Sequence, residues 1–406
     1  MMPEPGRDDR FPRSRAIAER ARRVVWKGGS EATQHPSLIE AGFPRYLARG
    51  EGARVWDADG NAYLDYLMSW GSVLLGHRAP AVEAAVRRQL EEGALFNLAV
   101  EGEVALAERL VRHVPAAELV RFVASGSEAT AAAVRVARAA TGRETVVQFG
   151  FHGWLDWCQG AHPAGIPPAT LSAVLPMEYN DLDALAALFA AHRDGIACVL
   201  MEPVKDEEPA AGFLSGVREL THANGALLVF DEVKTGLRLG LGGAQVRLGV
   251  TPDLCTLSKA LANGYPLAAL AGRREVFERA SEVWISGTYH GWPPAVAAAH
   301  ATLTELETEP VVERVASLGR RLMDGFARIA ADRGLRGRLA GLPALPQIRC
   351  PAGERPWFQA LFGRMVGRGY FIHPLRPWFP SAAHGEGDVE RTLADLEEAA
   401  RGLERP

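Results

Sequence analysis

The sequence predicts an α/β protein with a large domain built on a mostly parallel sheet and a smaller α+β lobe. From about residue 80, helical segments alternate with short apolar runs, a pattern typical of parallel strands joined by covering helices. The chain has 406 residues, 48% of them hydrophobic, so it can bury a large core and still form a second domain. From about residue 335, short strands mix with amphipathic helices, which indicates that the C-terminal part forms the smaller lobe.

The N-terminal part predicts a tail, a helix and a hairpin. Residues 1 to about 15 are polar and contain prolines, which is typical of a loose tail, and Arg15–Val25 follows as a short helix. Residues 54–66 are predicted to form two short strands around an Asp-Gly-Asn turn. We assign residues 1–79 to a segment that joins the small lobe.

Six apolar runs are predicted to be strands of the large domain, which we place at residues 80–333. They are Leu119–Val123, Thr145–Phe149, Cys198–Met201, Leu227–Phe230, Leu254–Leu257 and Leu267–Ala271. One long helix is expected near residues 292–332. Residues 334–406 are assigned to a small C-terminal α+β domain whose last helix spans roughly residues 388–403.

Composition argues against nucleic acid, a membrane or a metal as the partner. The net charge is −4 and the pI is about 6.3, which favours small-molecule substrates over polyanions. The four cysteines lack metal-ligand spacing and are expected to be free thiols of a reducing compartment. No apolar window approaches the length of a membrane span or a signal peptide, so we expect a cytoplasmic protein.

The most informative residue is Lys259, one of four lysines in a chain that otherwise uses arginine. It follows the apolar run before Ser258, and Asp231 stands at the end of the preceding strand. A lysine that forms a Schiff base needs an apolar surrounding that lowers its pKa, and a pyridine cofactor needs a carboxylate at its ring nitrogen. The two residues together suggest pyridoxal phosphate (PLP). Lys234, just after Asp231, is a second candidate that the pattern alone does not exclude.

A second signal is Ser125-Gly126-Ser127, which joins a strand to an alanine-rich helix. Unpaired amides and the helix dipole at such a junction favour a phosphate. Taken alone, the same motif is more often a plain helix cap. Its occurrence together with Lys259 favours the phosphate site.

Two further motifs have two interpretations each. Phe151 and His152 follow a predicted strand, where an aromatic face would stack on a pyridine ring, although both could be ordinary core residues. Thr288, flanked by Gly287 before a proline-started helix, is either a second phosphate contact or part of a turn.

Nearly the whole chain resembles the class III (fold type I) PLP-dependent aminotransferases, and its pattern is most similar to the glutamate-1-semialdehyde aminomutase branch. Each matching stretch is weak alone, and their number and order make the resemblance specific. They are Arg49–Asn61, Ser69-Trp70-Gly71, Leu75-Gly76-His77, Ser125–Ala129, Tyr179-Asn180-Asp181, Glu202-Pro203-Val204, Asp231–Gly236, Leu257–Leu267, Gly287-Thr288 and Ala383-His384.

The resemblance implies a seven-stranded, mostly parallel sheet, a PLP cofactor and a homodimer that shares its sites across the interface. Lys259 would be the Schiff-base lysine and proton carrier, and Asp231 would pair with the ring nitrogen. The implied cofactor-binding set is Ser125, Gly126, Ser127, Phe151, His152, Glu202, Asp231, Val233, Lys259 and Thr288, with Thr288 supplied by the neighbouring subunit. The expected substrate-binding residues are Trp70, Asn180, Tyr289 and Arg376, and no metal is expected.

Departures from the family pattern bear on the reaction. Phe151 stands where the family commonly has tyrosine, and Tyr289 begins a bulkier segment than the aminomutase branch carries. Arg376 falls where that branch has an active-site glutamate. It would act as a carboxylate clamp or lie on the surface.

These departures favour an aminotransferase that moves an amino group from an amino-acid donor to an aldehyde or ketone. The acceptor could belong to specialised metabolism, such as an amino-sugar or aminocyclitol precursor. The alternative is an aminomutase, or an amino-acid racemase or epimerase, on the same fold. A non-enzymatic descendant of the fold would be expected to have lost Lys259 or Asp231, and both are present.

Overall fold

The computed structural model describes residues 10–29, 43–205, 207–373 and 376–404. The chain divides into two compact units, one formed by Met1–Ala79 with Glu313–Pro406 and the other by Pro80–Val312. Most of the predicted N-terminal tail, residues 1–9, lies outside the described residues. The first described helix begins at Pro12, three residues before its predicted start at Arg15.

Fourteen α-helices are present in the described part of the chain. They are α1 Pro12–Val24, α2 Met68–Gly71, α3 Pro80–Glu92, α4 Glu101–His113, α5 Gly126–Thr141, α6 Pro168–Ser172, α7 Leu182–Ala191, α8 Phe213–Ala223, α9 Gly243–Leu248, α10 Arg274–Arg279, α11 Pro293–Thr308, α12 Val311–Ala331, α13 Arg355–Gly367 and α14 Glu386–Arg401.

Thirteen strands are present in the same residues. They are β1 Leu47–Glu51, β2 Arg54–Asp57, β3 Ala62–Asp65, β4 Leu119–Val123, β5 Thr145–Phe149, β6 Val174–Pro176, β7 Ile196–Met201, β8 Leu227–Glu232, β9 Leu254–Leu257, β10 Ala268–Gly272, β11 Arg338–Ala340, β12 Gln347–Arg349 and β13 Tyr370–Phe371.

The large unit, Pro80–Val312, contains a seven-stranded sheet in the order β4-β10-β9-β8-β7-β5-β6. The pairs within β6-β5-β7-β8-β9 are parallel, and β10 runs antiparallel to both of its neighbours. Strands β7 and β8 are buried at every position because helices cover the sheet. The prediction of a mostly parallel sheet is therefore confirmed, and its six predicted strands coincide with β4, β5, β7, β8, β9 and β10 to within two residues.

Helix α5 shows how local sequence builds this unit. Its N-cap Ser125 accepts a hydrogen bond from the Glu128 amide, and Gly142 ends it in the left-handed conformation that glycine tolerates best. Its alanine-rich face packs in one buried cluster with residues of the sheet such as Val229 and Leu270. Small side chains on this face let the helix lie close to the strands.

The predicted long helix near residues 292–332 is two helices, so that prediction is wrong. Helix α11 ends at Thr308 and α12 begins at Val311. The cause is Pro310, which disfavours helical backbone at the residue before it, and Glu309 is extended. Leu322 and Phe326 of α12 belong to the core of the unit that contains the chain ends, so the chain enters that unit at Glu313 and not at the suggested residue 334.

The unit formed by the chain ends contains the sheet β1-β2-β3-β13 and the hairpin β11-β12. Strands β2 and β3 are antiparallel, as predicted for residues 54–66, and β13 adds in parallel to β3. An aromatic core includes Phe326, Phe358 and Trp378. Within the described residues, no helix is both long and apolar enough to cross a membrane.

Candidate active site

Polar residues lie at or just after the carboxyl ends of four neighbouring strands of the large sheet. The sheet register pairs Phe149 with Met201, Met201 with Phe230, and Glu232 with Leu257, so β5, β7, β8 and β9 end at a similar level. The segments that follow carry the predicted residues. Because carboxyl ends of parallel strands face one crevice, the edge is the natural place for a ligand.

Asp231, at the end of β8, is a buried carboxylate with three hydrogen bonds. Its Oδ2 lies 2.7 Å from Nδ1 of His152, and its Oδ1 accepts from the Val233 amide at 3.0 Å and the Thr256 hydroxyl at 3.2 Å. A carboxylate removed from water needs such partners. They also fix the orientation of the carboxylate.

His152 is held as firmly as its partner. The Thr130 hydroxyl donates to the His152 carbonyl at 2.7 Å, and the imidazole stacks on Trp157 with ring centroids 6.1 Å apart. Its Nε2 is buried and has no hydrogen-bond partner within the described parts of the chain. Because a carboxylate only accepts hydrogen bonds, Nδ1 is the donor in the bond to Asp231.

Lys259 follows β9 in a left-handed backbone conformation, with φ of 49°. A lysine in this conformation is strained, and such strain is concentrated at functional sites. The pKa of its amine is lowered to about 8, first by burial and then by the positive charge of Lys234. Glu202 and Asp231 oppose the shift. A lysine of this acidity is partly neutral near physiological pH and can act as a nucleophile.

Lys234 and Glu202 form an ion pair at the same edge. The Lys234 Nζ donates to Oε2 of Glu202 at 2.6 Å, and Oε1 of Glu202 accepts from the Phe151 amide at 2.8 Å. Gly150 has φ of 116°, and a Cβ there would lie 2.7 Å from Cγ of Glu202. Glu202 therefore binds the loop after β5 and the loop after β8 together.

The predicted anion cradle lies at the start of helix α5. Ser125 is the N-cap, so the amides of Gly126 and Ser127 belong to the first turn, where the helix supplies no carbonyl partner. A Cβ at Gly126 would lie 2.9 Å from Cγ1 of Val233, and one at Gly153 would overlap the Ser127 hydroxyl. The cradle is thus in close contact with Val233, two residues after Asp231, and with Gly153, the residue after His152.

The Ser-Gly-Ser motif forms a helix cap, and its interpretation as a phosphate site stays a prediction. The Ser125 hydroxyl bonds within a cap, because it accepts from the Glu128 amide at 3.3 Å and lies 3.0 Å from the Glu128 carboxylate. That carboxylate also accepts from the Ala124 amide at 3.0 Å. The cap leaves the amides of Gly126 and Ser127 directed out of the helix end.

The other predicted site residues are less enclosed. Phe151 is 67% exposed and Tyr289 is 64% exposed, and Thr288 is exposed beside it. Asn180 is exposed as well, and its Oδ1 accepts from the Ala210 amide at 2.8 Å, so it holds a loop. Phe151 precedes His152, the partner of Asp231, whereas no described hydrogen bond joins Asn180, Thr288 or Tyr289 to Asp231.

Trp70 and Arg376 belong to the unit formed by the chain ends. Trp70 lies in the left-handed turn of α2 with φ of 60°, and its ring is 6.0 Å from that of His373. Arg376 is exposed. Asp65 orders this turn by accepting from the Leu67 and Met68 amides.

Sequence reasoning missed several supporting residues. Thr256 and Thr130 were not singled out, although each bonds to Asp231 or to the backbone of His152. Lys234 was considered only as a rival of Lys259, and its pairing with Glu202 was not foreseen. The available signal was strand register: Thr256 lies directly opposite Asp231 in the β8-β9 pair.

The arrangement suits a planar aromatic anion with an electrophilic carbon. An oriented carboxylate, an exposed aromatic ring, a helix N-terminus and an acidic lysine are the groups that a phosphorylated pyridine aldehyde requires. Among the described residues, no group of three or more histidine, cysteine or acidic side chains is placed to hold a metal ion.

Comparison with known proteins identifies similar chains. Residues 40–343 match the family model described as aminotransferase class-III. The glutamate-1-semialdehyde 2,1-aminomutase of Roseiflexus castenholzii is 37% identical, with 94% of this chain and 96% of that protein covered. The 3-aminobutyryl-CoA aminotransferase of Cloacimonas acidaminovorans is 32% identical, with 96% and 97% covered.

A solved structure agrees with these relatives. The FumI protein of Sphingopyxis sp. MTA144, determined in its PLP internal aldimine form, is 33% identical and superposes with a TM-score of 0.91. The match covers 96% of each chain. The similarity therefore extends over both units of the fold.

Proposed function

Since this chain belongs to the class-III aminotransferase family and is a PLP-dependent enzyme, we propose that it transfers an amino group from an amino-acid donor to a separate aldehyde or ketone. The predicted family, fold and cofactor are confirmed by the family match and by the structural likeness to a PLP protein. The residue roles and the substrates are the proposal.

The observation that carries the proposal is the meeting of Asp231 and Lys259 at the ends of adjacent parallel strands. Asp231 is held by His152 and Thr256, and Lys259 has a pKa of about 8 because burial disfavours its charge. PLP, when bound, withdraws electrons from the carbon that carries the amine and so acidifies its proton. An oriented carboxylate and a nearly neutral amine are what that chemistry requires of the protein.

Each residue then has a defined task. Asp231 would keep the ring nitrogen protonated, and His152 would prevent the carboxylate from turning away. Lys259 would hold the cofactor's aldehyde carbon and, once released, would take a proton from the substrate carbon and return it. Phe151 and Val233 would bound the two faces of the ring.

The helix start would hold the phosphate. The amides of Gly126 and Ser127 would donate to it, and the positive end of the α5 dipole would favour its charge. We infer that Thr288 of a neighbouring subunit completes this contact, in a homodimer. The exposure of Thr288 and Tyr289 supports a role outside their own subunit.

Two features favour transfer between separate molecules. Arg376 stands where the aminomutase branch has a glutamate, so a carboxylate that would repel an acidic substrate is replaced by a guanidinium that would attract one. Tyr289 adds bulk to the segment after Thr288. The relative from Cloacimonas acidaminovorans, named an aminotransferase, is consistent with such a reaction.

A second candidate is an aminomutase, in which the amine stays on one molecule. The similarity to the Roseiflexus castenholzii aminomutase, at 37% identity over almost the whole chain, supports it at least as well. A racemase or epimerase would need the same Lys259 and Asp231. Amino-sugar or aminocyclitol precursors are acceptors that we propose to include in the assay.

The deciding experiment is absorbance spectroscopy of the cofactor-loaded protein with a panel of α- and β-amino acids and no acceptor. Stable conversion of the cofactor to its pyridoxamine form by one donor, reversed by a keto acid or aldehyde, is the expected result. Turnover of glutamate-1-semialdehyde without any second substrate would establish the aminomutase. Exchange of the substrate's α-proton with deuterium, without conversion of the cofactor, would establish racemisation.

A further inference from the structure

The ion pair between Lys234 and Glu202 is not used by the reaction as outlined above. The side chains of both residues are largely buried, with 16% of Lys234 and 7% of Glu202 exposed. Burying an ion pair costs solvation free energy that the mutual attraction offsets only in good geometry. The pair is short, at 2.6 Å, and Glu202 makes a second bond to Phe151. Such an arrangement at the sheet edge calls for a role beyond stability.

Strand register places the pair beside Lys259. The β8-β9 register sets Asp231 opposite Thr256 and Glu232 opposite Leu257. Lys234 and Lys259 each follow the last residue of their strand by two positions, and the charge of Lys234 acts on the Lys259 amine. Glu202 follows β7, the strand on the other side of β8, and β7 ends level with Phe230. The two lysines and Glu202 therefore leave three adjacent strands at one edge.

Four charged groups act on the Lys259 amine. Lys234 and Arg238 disfavour its protonation, whereas Glu202 and Asp231 favour it. Asp231 is occupied by His152 and Thr256, and the Arg238 side chain is fully buried. Lys234 and Glu202 are thus a matched couple of opposite charge, and the effect of each on Lys259 is offset by the other.

We propose that Glu202 and Lys234 form one positioning unit of the site, which holds the backbone of Phe151 and governs the charge carried by the Lys259 amine. The inference rests on the proposed role of Lys259. Neither residue of the pair exchanges a proton with the substrate. The positive charge of Lys234 disfavours protonation of the Lys259 amine, and the ion pair with Glu202 fixes the position of that charge.

The first test measures the acidity of Lys259 directly in the full chain without cofactor. Competitive labelling with acetic anhydride at graded pH, read by peptide mass spectrometry, gives the pH of half-maximal reactivity, and the exposed Lys27 serves as an internal reference. Lys234→Met should raise this pH by about one unit, because it leaves Glu202 unpaired beside Lys259. Glu202→Gln should lower it by about one unit, because it leaves Lys234 unpaired.

The double variant and two controls separate charge from damage to the fold. In the double variant Glu202→Gln with Lys234→Met, the pH of half-maximal labelling of Lys259 should lie within about 0.3 unit of the parent value, since both charges are gone. Lys234→Arg should also stay close to the parent. Lys205 is a lysine at the same edge, and its Nζ lies over the Phe149 ring. Lys205→Met should leave the pH of half-maximal labelling of Lys259 unchanged. Shifts in the same direction for both single variants, or no shift, would overturn the inference.

The second test addresses the backbone of Phe151. Glu202→Ala removes the acceptor of the Phe151 amide, so hydrogen exchange of the peptide that contains it should increase about tenfold, whereas Glu202→Gln keeps an acceptor and should protect it better. Equal exchange in the two variants and the parent would refute this half of the inference. If Lys259→Ala loses turnover but neither single variant of the pair shifts the pH of half-maximal labelling, the inference fails and the proposed function stands. If Lys259→Ala keeps full turnover, the proposed function itself fails.

Discussion

At the scale of single residues, the candidate site contains two ionisable groups, Asp231 and Lys259, whose surroundings differ. Asp231 is buried and receives three hydrogen bonds, so its orientation is determined by the fold. Lys259 is in a strained backbone conformation, and burial with a nearby cation lowers its pKa to about 8. In the proposed reaction, Asp231 acts as a fixed charge and Lys259 as a mobile nucleophile.

Replacement of the lysine is the most direct prediction. Lys259→Ala should reduce turnover by at least a thousandfold, because it removes the amine that is proposed to hold the aldehyde carbon and carry the proton. Steady-state rates with the donor found by spectroscopy provide the measurement, and circular dichroism checks the fold. Lys205→Ala is the matched control, because this lysine lies over the Phe149 ring and has no proposed role in the reaction. Near-parental activity of Lys259→Ala would transfer its role to Lys234.

The carboxylate should matter through its charge. Asp231→Asn keeps the size of the side chain and much of its bonding but cannot hold a proton on the ring nitrogen, so kcat should fall by at least a hundredfold. Asp231→Glu, which retains the charge, should recover part of the loss. A kcat within threefold of the parent for Asp231→Asn would contradict the assignment.

The pKa of Lys259 leads to a prediction about pH. Only the neutral amine attacks an aldehyde, and the neutral fraction grows as pH rises towards the pKa of about 8. The rate of PLP capture by the cofactor-free chain should therefore increase up to tenfold per pH unit below pH 8 and level off above it. Rapid-mixing absorbance measures this rate. A rate that is flat between pH 6 and 8 would be inconsistent with the lowered pKa.

At the scale of elements, the positions of the parallel strands along the chain were open to prediction because each is a short apolar run buried on both faces. The edge strand β6 was missed, and the three-residue strands β11 and β12 were expected only as unplaced short strands after residue 335, since such strands are too short to carry this pattern. Helix α12 was assigned to the large domain because its break from α11 rests on a single proline.

The candidate site also contains some features that the sequence identifies and others that it does not. Lys259, Asp231 and the α5 cap could be found because local motifs identify them. The bonds from Lys234 to Glu202 and from Thr256 to Asp231 could not, because each joins different strands and depends on the strand order. Arg376 is exposed, and no local pattern around it distinguishes a carboxylate clamp from a surface arginine.

Helix α12 gives a stability prediction that reverses a common rule. Glycine to alanine inside a helix usually stabilises by up to about 1 kcal/mol. At Gly319, however, a Cβ would overlap the Pro343 carbonyl, so Gly319→Ala should destabilise by about 2 kcal/mol or more. Gly387→Ala in α14, where nothing lies within 4 Å, should be neutral or stabilising. Thermal unfolding of both variants measures this, and equal midpoints would refute the argument.

At the scale of the whole molecule, the large unit exposes several large apolar side chains. Leu98 is 85% exposed, Trp284 77%, Trp154 74% and Phe96 46%. Large exposed apolar residues indicate an association surface, and for identical chains the simplest association is a two-fold dimer. Leu98→Asp should therefore shift the chain towards monomer in sedimentation velocity, while Leu90→Asp, on the neighbouring helix α3, tests whether any exposed leucine has the same effect.

A dimer that shares its sites makes a sharper prediction, which a mixing experiment decides. Thr288→Asp should be nearly inactive because its charge repels the phosphate, and Lys259→Ala should be inactive for its own reason. If Thr288 serves the partner's site, a mixed dimer of the two variants has one site with both defects and one with neither. After unfolding and refolding together in equal amounts, about a quarter of parental activity should return, because half of the dimers are mixed and each has one intact site. If Thr288 serves its own subunit, every site keeps a defect and no activity returns.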